Sequence, residues 1–192
     1  MNFDTRVEVS ARHIHLSLEH LEKLFGKNYK LNKSKDLFQT DSFATEERVI
    51  CEFVNGHRLE RVRIIVPVRE QTQLEISKTD AYNLGVNPPV RCSGDLAGSE
   101  KCRLIGPNGH LDLKEGVIIA QRHLHINEVT ARKYKIKEGQ VLSLKINSEE
   151  KLETIYKVLA RISLNSFLVC HLDVDGGNAA GIAKIGTGEI FV

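Results

Sequence analysis

Two copies of one short phrase carry the chemistry this sequence can do: Arg12-His13-Ile14-His15-Leu16 and Arg122-His123-Leu124-His125-Ile126. Side chains alternate across the faces of a strand, so residues two apart point the same way. Each phrase therefore presents two imidazoles side by side within an apolar frame. Neutral imidazole is the commonest side-chain metal ligand, and a catalytic zinc takes three protein donors and keeps one position open. The chain has eight histidines and four sit in this repeat, so a metal-dependent site is the leading reading. Two residues are candidates for a third donor. Glu75 lies on a polar strand face, where a carboxylate is ordinarily just solvated. His171 alternates with Val169 and Asp173, and spacing alone leaves its role open. Cys170, its neighbour, reads as a small buried hydrophobe, the usual fate of a free cysteine.

Two other metal frames lose ground. His13, His15 and Glu19 match the HxHxxxE portion of a cupin site, but Glu19 falls in a helical stretch where a cupin needs strand. A metal-hydrolase barrel that opens with HxH needs more than about 200 residues, and this chain has 192.

The elements that must position these histidines follow from the flanking pattern. Arg6 to Ser10 reads as a strand leading into His13 and His15. Ser17 then caps a helix whose Leu18, Leu21 and Phe25 share a face and which Gly26 stops; His20 on it reads as an exposed residue. Asn28 to Glu47 is polar and irregular, a loop or short hairpin. Arg48 to Phe53 and Arg61 to Val66 are strands about an Asn55-Gly56 turn. In the alternating run Gln71 to Ser77, residues Gln71, Gln73, Glu75 and Ser77 share one face. A helix over Lys78 to Leu84 ends at Gly85. Cys102 to Ile105 and His110 to Leu113 form a hairpin around Gly106-Pro107-Asn108-Gly109. Gly116 to Gln121 is a strand leading to His123 and His125, and Asn127 caps a helix to Tyr134. Strands follow at Val141 to Ile146, Ile155 to Ile162 and Phe167 to Asp173. Asp175 to Gly181 is a Gly-rich connection before a last apolar segment. Strand, HxH and short helix thus recur 110 residues apart, from His13 to His123, as in a duplicated unit. Many short strands with turn punctuation predict small barrels.

The bulk composition excludes several partners. Lys+Arg 27 against Asp+Glu 25 gives a formal charge of +2, no electrostatic case for nucleic acid. No apolar stretch reaches the roughly 20 residues that span a bilayer, and Met1-Asn2-Phe3-Asp4 has no signal-peptide character. The four cysteines, Cys51, Cys92, Cys102 and Cys170, form no CxxC pair, which fits a reduced, cytoplasmic setting.

Several long motifs resemble one family. They are Ser10-Ala11-Arg12-His13-Ile14-His15-Leu16, the run Val68 to Ser77, the run Ser93 to Ser99, Lys114 to Ala120, Arg122-His123-Leu124-His125 and Asn178-Ala179-Ala180-Gly181. In this order, over nearly the whole chain, they resemble the PduL-type phosphate propanoyltransferases, a kind of phosphotransacylase. The resemblance implies reversible acyl transfer between coenzyme A and inorganic phosphate. It implies a mainly β fold with short helices (α+β): two small β-barrels capped by short helices, with two zinc ions between them. One barrel would comprise residues 1–12 and 119–192, the other 13–118. By motif, His13, His15 and Glu75 would hold one zinc and His123, His125 and His171 the other. Arg69 would be the catalytic, phosphate-binding residue, Ser93 a further phosphate contact, and Ser10 and Asn178 coenzyme A contacts. Implied partners are a coenzyme A thioester and phosphate, with a homodimer left open and no nucleic acid or membrane.

The chain departs from the family pattern in three places. Val66 precedes Pro67 where the family usually has Gly, Thr40-Asp41 replaces a Pro-Gly, and Gly176-Gly177 stands where Glu-Ala is commoner. None is a proposed ligand. No amphipathic N-terminal extension of the kind carried by microcompartment members precedes Ser10, which points to an unencapsulated enzyme of acetate or propionate metabolism, with acetyl as the favoured acyl group. The competing readings are another His-ligated metalloenzyme, a hydrolase or oxygenase, and a non-catalytic module braced by zinc.

Overall fold

The computed structural model describes all residues except 40, 41, 149–152 and 165; the Thr40-Asp41 departure lies outside the described residues. The described strands are β1 (Asn2–Ser10), β2 (His13–His15), β3 (Lys33–Asp36), β4 (Phe43–Glu52), β5 (Arg58–Val66), β6 (Gln73–Glu75), β7 (Val90–Arg91), β8 (Glu100–Gly106), β9 (Gly109–Ala120), β10 (His123–Ile126), β11 (Val141–Asn147), β12 (Glu153–Ile162), β13 (Val169–Asp173) and β14 (Ile185–Phe191). The helices are α1 (Leu18–Phe25), α2 (Lys78–Leu84), α3 (Glu128–Tyr134) and α4 (Val174–Ala179). The protein is mainly β with four short helices, and no helix among the described residues is long and apolar enough to cross a membrane.

The chain divides into two compact units, Met1–Ala11 with Gln121–Val192, and Arg12–Ala120. In the first, six strands close into a barrel in the order β1-β13-β10-β12-β11-β14. β1 runs parallel to β13 and antiparallel to β14, so a strand from the start of the chain completes a sheet made of its end. Inside lies a cluster that includes Val7, Leu124, Leu144, Cys170, Leu172 and Ile190. In the second unit β4, β5, β2, β6 and β9 are consecutive neighbours, and β8 pairs with both β9 and β4, which closes a second ring of six. Its core includes Ile14, Leu24, Ile64, Leu74, Leu104 and Val117. β3 and β7 extend the sheet at β4 and β9. Closure removes the open edges that would otherwise offer unpaired backbone groups.

The helices start where the caps place them. Ser17 Oγ accepts from His20 N, Ser77 Oγ from Asp80 N in a capping box, and Asn127 Oδ1 from Thr130 N.

Three local readings need correction. Asp175 to Gly181 is not merely a connection: Asp173 accepts from Gly176 N and starts α4. Glycine's poor helix propensity hid it, while packing space selected Gly177, where a Cβ would lie 2.5 Å from Val9 Cγ2. The strands read on either side of Lys114-Glu115 are one continuous β9, because Gly116 adopts φ +135° and lets the strand bend without ending. His20 is half-buried rather than exposed, with Nδ1 2.8 Å from Thr72 Oγ1.

Candidate metal centres

The first cluster is built by register. β2 lies antiparallel to β6, with His13 opposite Glu75, Ile14 opposite Leu74 and His15 opposite Gln73. Ile14 and Leu74 point into the core, so alternation puts His13, His15, Gln73 and Glu75 together on the other face. That face is closed off: His13 is 9% and His15 6% exposed. The two imidazoles stand edge to face at 5.3 Å between centroids, and His13 Nε2 lies 3.6 Å from Glu75 Oε2. One donor atom from each of His13, His15 and Glu75 falls within 4.8 Å of the others. Two donors held tetrahedrally on one zinc at ordinary bond lengths stand about 3.4 Å apart, so the spacing fits a metal centre. Two histidines and a glutamate are also a known catalytic zinc donor set.

Electrostatics suit His15 to a ligand's role. Burial, then the charge of Arg69 and the neighbouring His13, pushes its pKa from 6.5 down to about 3, against the opposing pull of Glu75 and the Pro67 carbonyl. The ring is therefore neutral at physiological pH. His15 Nδ1 lies 3.3 Å from Pro67 O; a carbonyl only accepts, so Nδ1 carries the proton and Nε2 keeps its lone pair.

An arginine and a hydroxyl adjoin this cluster. Arg69 donates from Nη2 to His15 Nε2 at 2.9 Å and from Nη1 to Ser93 Oγ at 2.8 Å. Ser93 Oγ also accepts from Gln73 Nε2 at 2.7 Å and donates to Glu75 Oε1 at 3.2 Å. Gln73, only 1% exposed, donates to Glu75 Oε1 at 2.5 Å and accepts from Gly94 N at 2.7 Å. One buried amide thus ties the Ser93-Gly94 turn to Glu75. Sequence reasoning placed Gln73 on the Glu75 face but gave it no role; the missing signal was its burial, which requires partners for its amide.

The second cluster repeats the construction in the other unit. β10 lies antiparallel to β13, with His123 opposite His171 and His125 opposite Val169. Cys170 and Leu172 face the core, which turns His171 outward toward the pair. The three rings lie edge to face with centroids 4.8, 5.3 and 5.1 Å apart. Their donor atoms again fall within 4.8 Å of one another, and His123 Nε2 lies 3.1 Å from His125 Nε2. His123 Nδ1 donates to Gln121 O at 2.7 Å, so here too a backbone carbonyl fixes the tautomer, with the lone pair on Nε2. Three histidines form another catalytic zinc set. Cys170 is fully buried and burial raises its pKa, which makes it a core thiol and no ligand.

The remaining sequence candidates fall in the unit that holds the second cluster. Ser10, half-buried at the end of β1, is the register partner of Asp173, the cap of α4, and Asn178 is exposed on that helix. The arginines of the repeat diverge. Arg12 pairs with Asp80, whereas Arg122 stacks its guanidinium 4.5 Å over Tyr156.

The fold and these groups define a class: a β-barrel protein with two three-donor clusters suited to a divalent metal, one tied to an arginine suited to an anion. Comparison with known proteins narrows it. The family model for phosphate propanoyltransferase matches residues 6–183. A phosphate propanoyltransferase of Thermotoga maritima is 43% identical over 184 residues, 96% of this chain and 86% of that one. One from Lachnoclostridium phytofermentans is 42% identical over 98% of this chain and 86% of its own, and one from Priestia megaterium 44% over 94% and 82%. The chain belongs to the phosphate propanoyltransferase family and is an acyltransferase that uses phosphate.

Proposed function

We propose that this protein exchanges a short acyl group, acetyl foremost, between coenzyme A and inorganic phosphate in the cytoplasm, with one zinc on His13, His15 and Glu75 and another on His123, His125 and His171. The observation that carries the reading is the adjacency of Arg69 to the first cluster: its guanidinium reaches Ser93 Oγ and the His15 Nε2 lone pair, which a bound zinc would take in its place, releasing that end of the fork for phosphate. Zinc in such donor sets supplies a Lewis acid that stabilises thiolate or polarises oxygen.

The chain's own groups do the rest. The planar fork of Arg69 suits a phosphate dianion through paired, charge-assisted hydrogen bonds. Ser93 and Gln73 hold that fork in place, so phosphate binds without first ordering its receptor. In the forward direction a phosphate oxygen bonds to the thioester carbonyl carbon, the carbon–sulfur bond breaks and coenzyme A leaves as thiolate. Ser10 and Asn178 contact coenzyme A. The free thiols Cys51, Cys92, Cys102 and Cys170 fit a reducing compartment.

The test is release of free thiol from acetyl-CoA by the zinc-loaded protein. Release that requires phosphate and disappears with a chelator is the expected result. Phosphate-independent thiol release, or full activity without metal, would overturn the reading.

A further inference from the structure

In each unit an arginine stands beside the second histidine of the pair. In the first cluster Arg69 reaches His15 Nε2 from a loop. In the second the arginine arrives by register. β10 lies parallel to β12, with Leu124 opposite Ala160 and His125 opposite Arg161. Leu124 and Ala160 belong to the core, so alternation sends Arg161 out on the face that carries the histidines. Neighbouring strands lie about 4.8 Å apart, so the long Arg161 side chain starts one strand spacing from His125. It is half-buried, and among the described residues it forms no ion pair. Two carboxylates that border this face are engaged elsewhere. Glu8, the register partner of His171, accepts from Arg6 Nε at 2.7 Å. Glu138 accepts from the backbone N of Ile162, the residue after Arg161, at 2.6 Å.

Charge sets this face apart from the first cluster. There the Glu75 carboxylate offsets part of the charge of a divalent ion. The second donor set is three imidazoles, which are neutral when they hold a metal, and Arg161 adds a positive charge beside them. A half-buried cation without a counter-ion is unfavourable unless an anion comes to it. A phosphate group supplies that charge and matches the guanidinium fork through paired hydrogen bonds. We propose that Arg161 binds a phosphate group of the substrates beside the His123/His125/His171 cluster, an inference that rests on the phosphotransacylase reading above. Two sources carry such a group: inorganic phosphate, and the nucleotide end of coenzyme A.

The experiment titrates inorganic phosphate, and separately coenzyme A, into the zinc-loaded full chain by calorimetry, for the wild type and for Arg161→Gln. The variant is expected to bind at least one of the two ~10-fold more weakly or worse, as loss of a charge-assisted contact implies, with zinc content and melting temperature unchanged. Kinetics name the source. A raised KM for phosphate points to the inorganic ion. A raised KM for acetyl-CoA but not for acetyl-pantetheine, which lacks the nucleotide phosphates, points to coenzyme A. Arg161→Lys recovers part of the affinity because it restores the charge. Unchanged affinity for both compounds overturns the proposal. Weaker binding that comes with loss of zinc overturns it too, because Arg161 then braces the cluster rather than touching substrate. A wild type that binds neither compound sinks the phosphotransacylase reading and the proposal with it.

Discussion

The phosphate role proposed for Arg69 rests on shape, and that makes its replacement informative. Its two terminal nitrogens reach different partners, His15 Nε2 and Ser93 Oγ. A lysine keeps the charge but presents one point donor in place of a fork. Arg69→Lys is therefore expected to be nearly as damaging as Arg69→Ala, which should slow transfer by ~100-fold or more. The loss should appear with phosphate as the varied substrate and with metal content unchanged; a lysine variant near wild-type rate would show that charge alone suffices. His15 allows a second test, in chelator-treated protein. Its folded pKa of about 3 lies below the ordinary 6.5, so between those values the unfolded chain binds more protons than the folded one. Stability from this residue is complete above pH 6.5 and drains away as pH falls toward 3. Between pH 7 and pH 5 the cost is about 2 kcal/mol, at about 1.4 kcal/mol per pKa unit. Urea unfolding at the two pH values should show that drop in the wild type and a smaller one in His15→Gln; equal drops would remove His15 as the cause. At this scale the HxH parity was legible, because alternation along a strand is a local rule. The partnership of Gln73 was not, because it depends on which distant strand lies alongside and in which register.

α4 shows how an element can be built against its own propensity. Its sequence, Val174 to Ala179, includes two adjacent glycines, each less favourable than alanine in a helix by about 1 kcal/mol. Packing outweighs that term at Gly177. An added Cβ there would sit 2.5 Å from Val9 Cγ2 and 2.9 Å from the Ile182 carbonyl oxygen, and the backbone carbonyl cannot rotate away as a side-chain tip can. Gly177→Ala is expected to destabilise the fold by about 1–3 kcal/mol despite its better propensity, a fall of several degrees in melting temperature for a chain of this size. Adding Val9→Ala should recover part of the Gly177→Ala cost in a double-mutant cycle. A stabilised Gly177→Ala would mean that α4 shifts freely over β1. Gly176 differs, since its added Cβ would meet the Asp173 carboxylate and Arg122, both side chains that can move. Elsewhere elements were readable in proportion to how local their signals are. The helices α1 and α3 announced themselves through their caps, Ser17 and Asn127, and α2 through its closing Gly85. α4 and the unbroken β9 did not, because in both a glycine looks like punctuation and serves as clearance or as a bend.

At the scale of the whole molecule, each cluster of candidate metal donors is assembled inside one unit from strands far apart in sequence. His13, His15 and Glu75 all lie within Arg12–Ala120, and His123, His125 and His171 within Met1–Ala11 with Gln121–Val192. The recurrence of strand, HxH and helix pointed to a duplicated unit. Barrel closure is a different matter: β1 joins β13 and β14 from the far end of the chain, a pairing no local pattern encodes and that only the family resemblance implied. Two cores with separate donor sets predict two separable binding events. A metal that binds folded but not unfolded protein stabilises it by about 2.7 kcal/mol when free metal is 100 times the dissociation constant. Chelation should therefore lower the melting temperature, and zinc should restore it. Replacing His13 and His15 by alanine should leave one equivalent of zinc after dialysis. Replacing His123 and His125 should leave the other, and replacing all four should leave none. Metal analysis of the three variants decides the matter. If either pair of substitutions strips both ions while the fold stays intact, the clusters are one coupled centre rather than two.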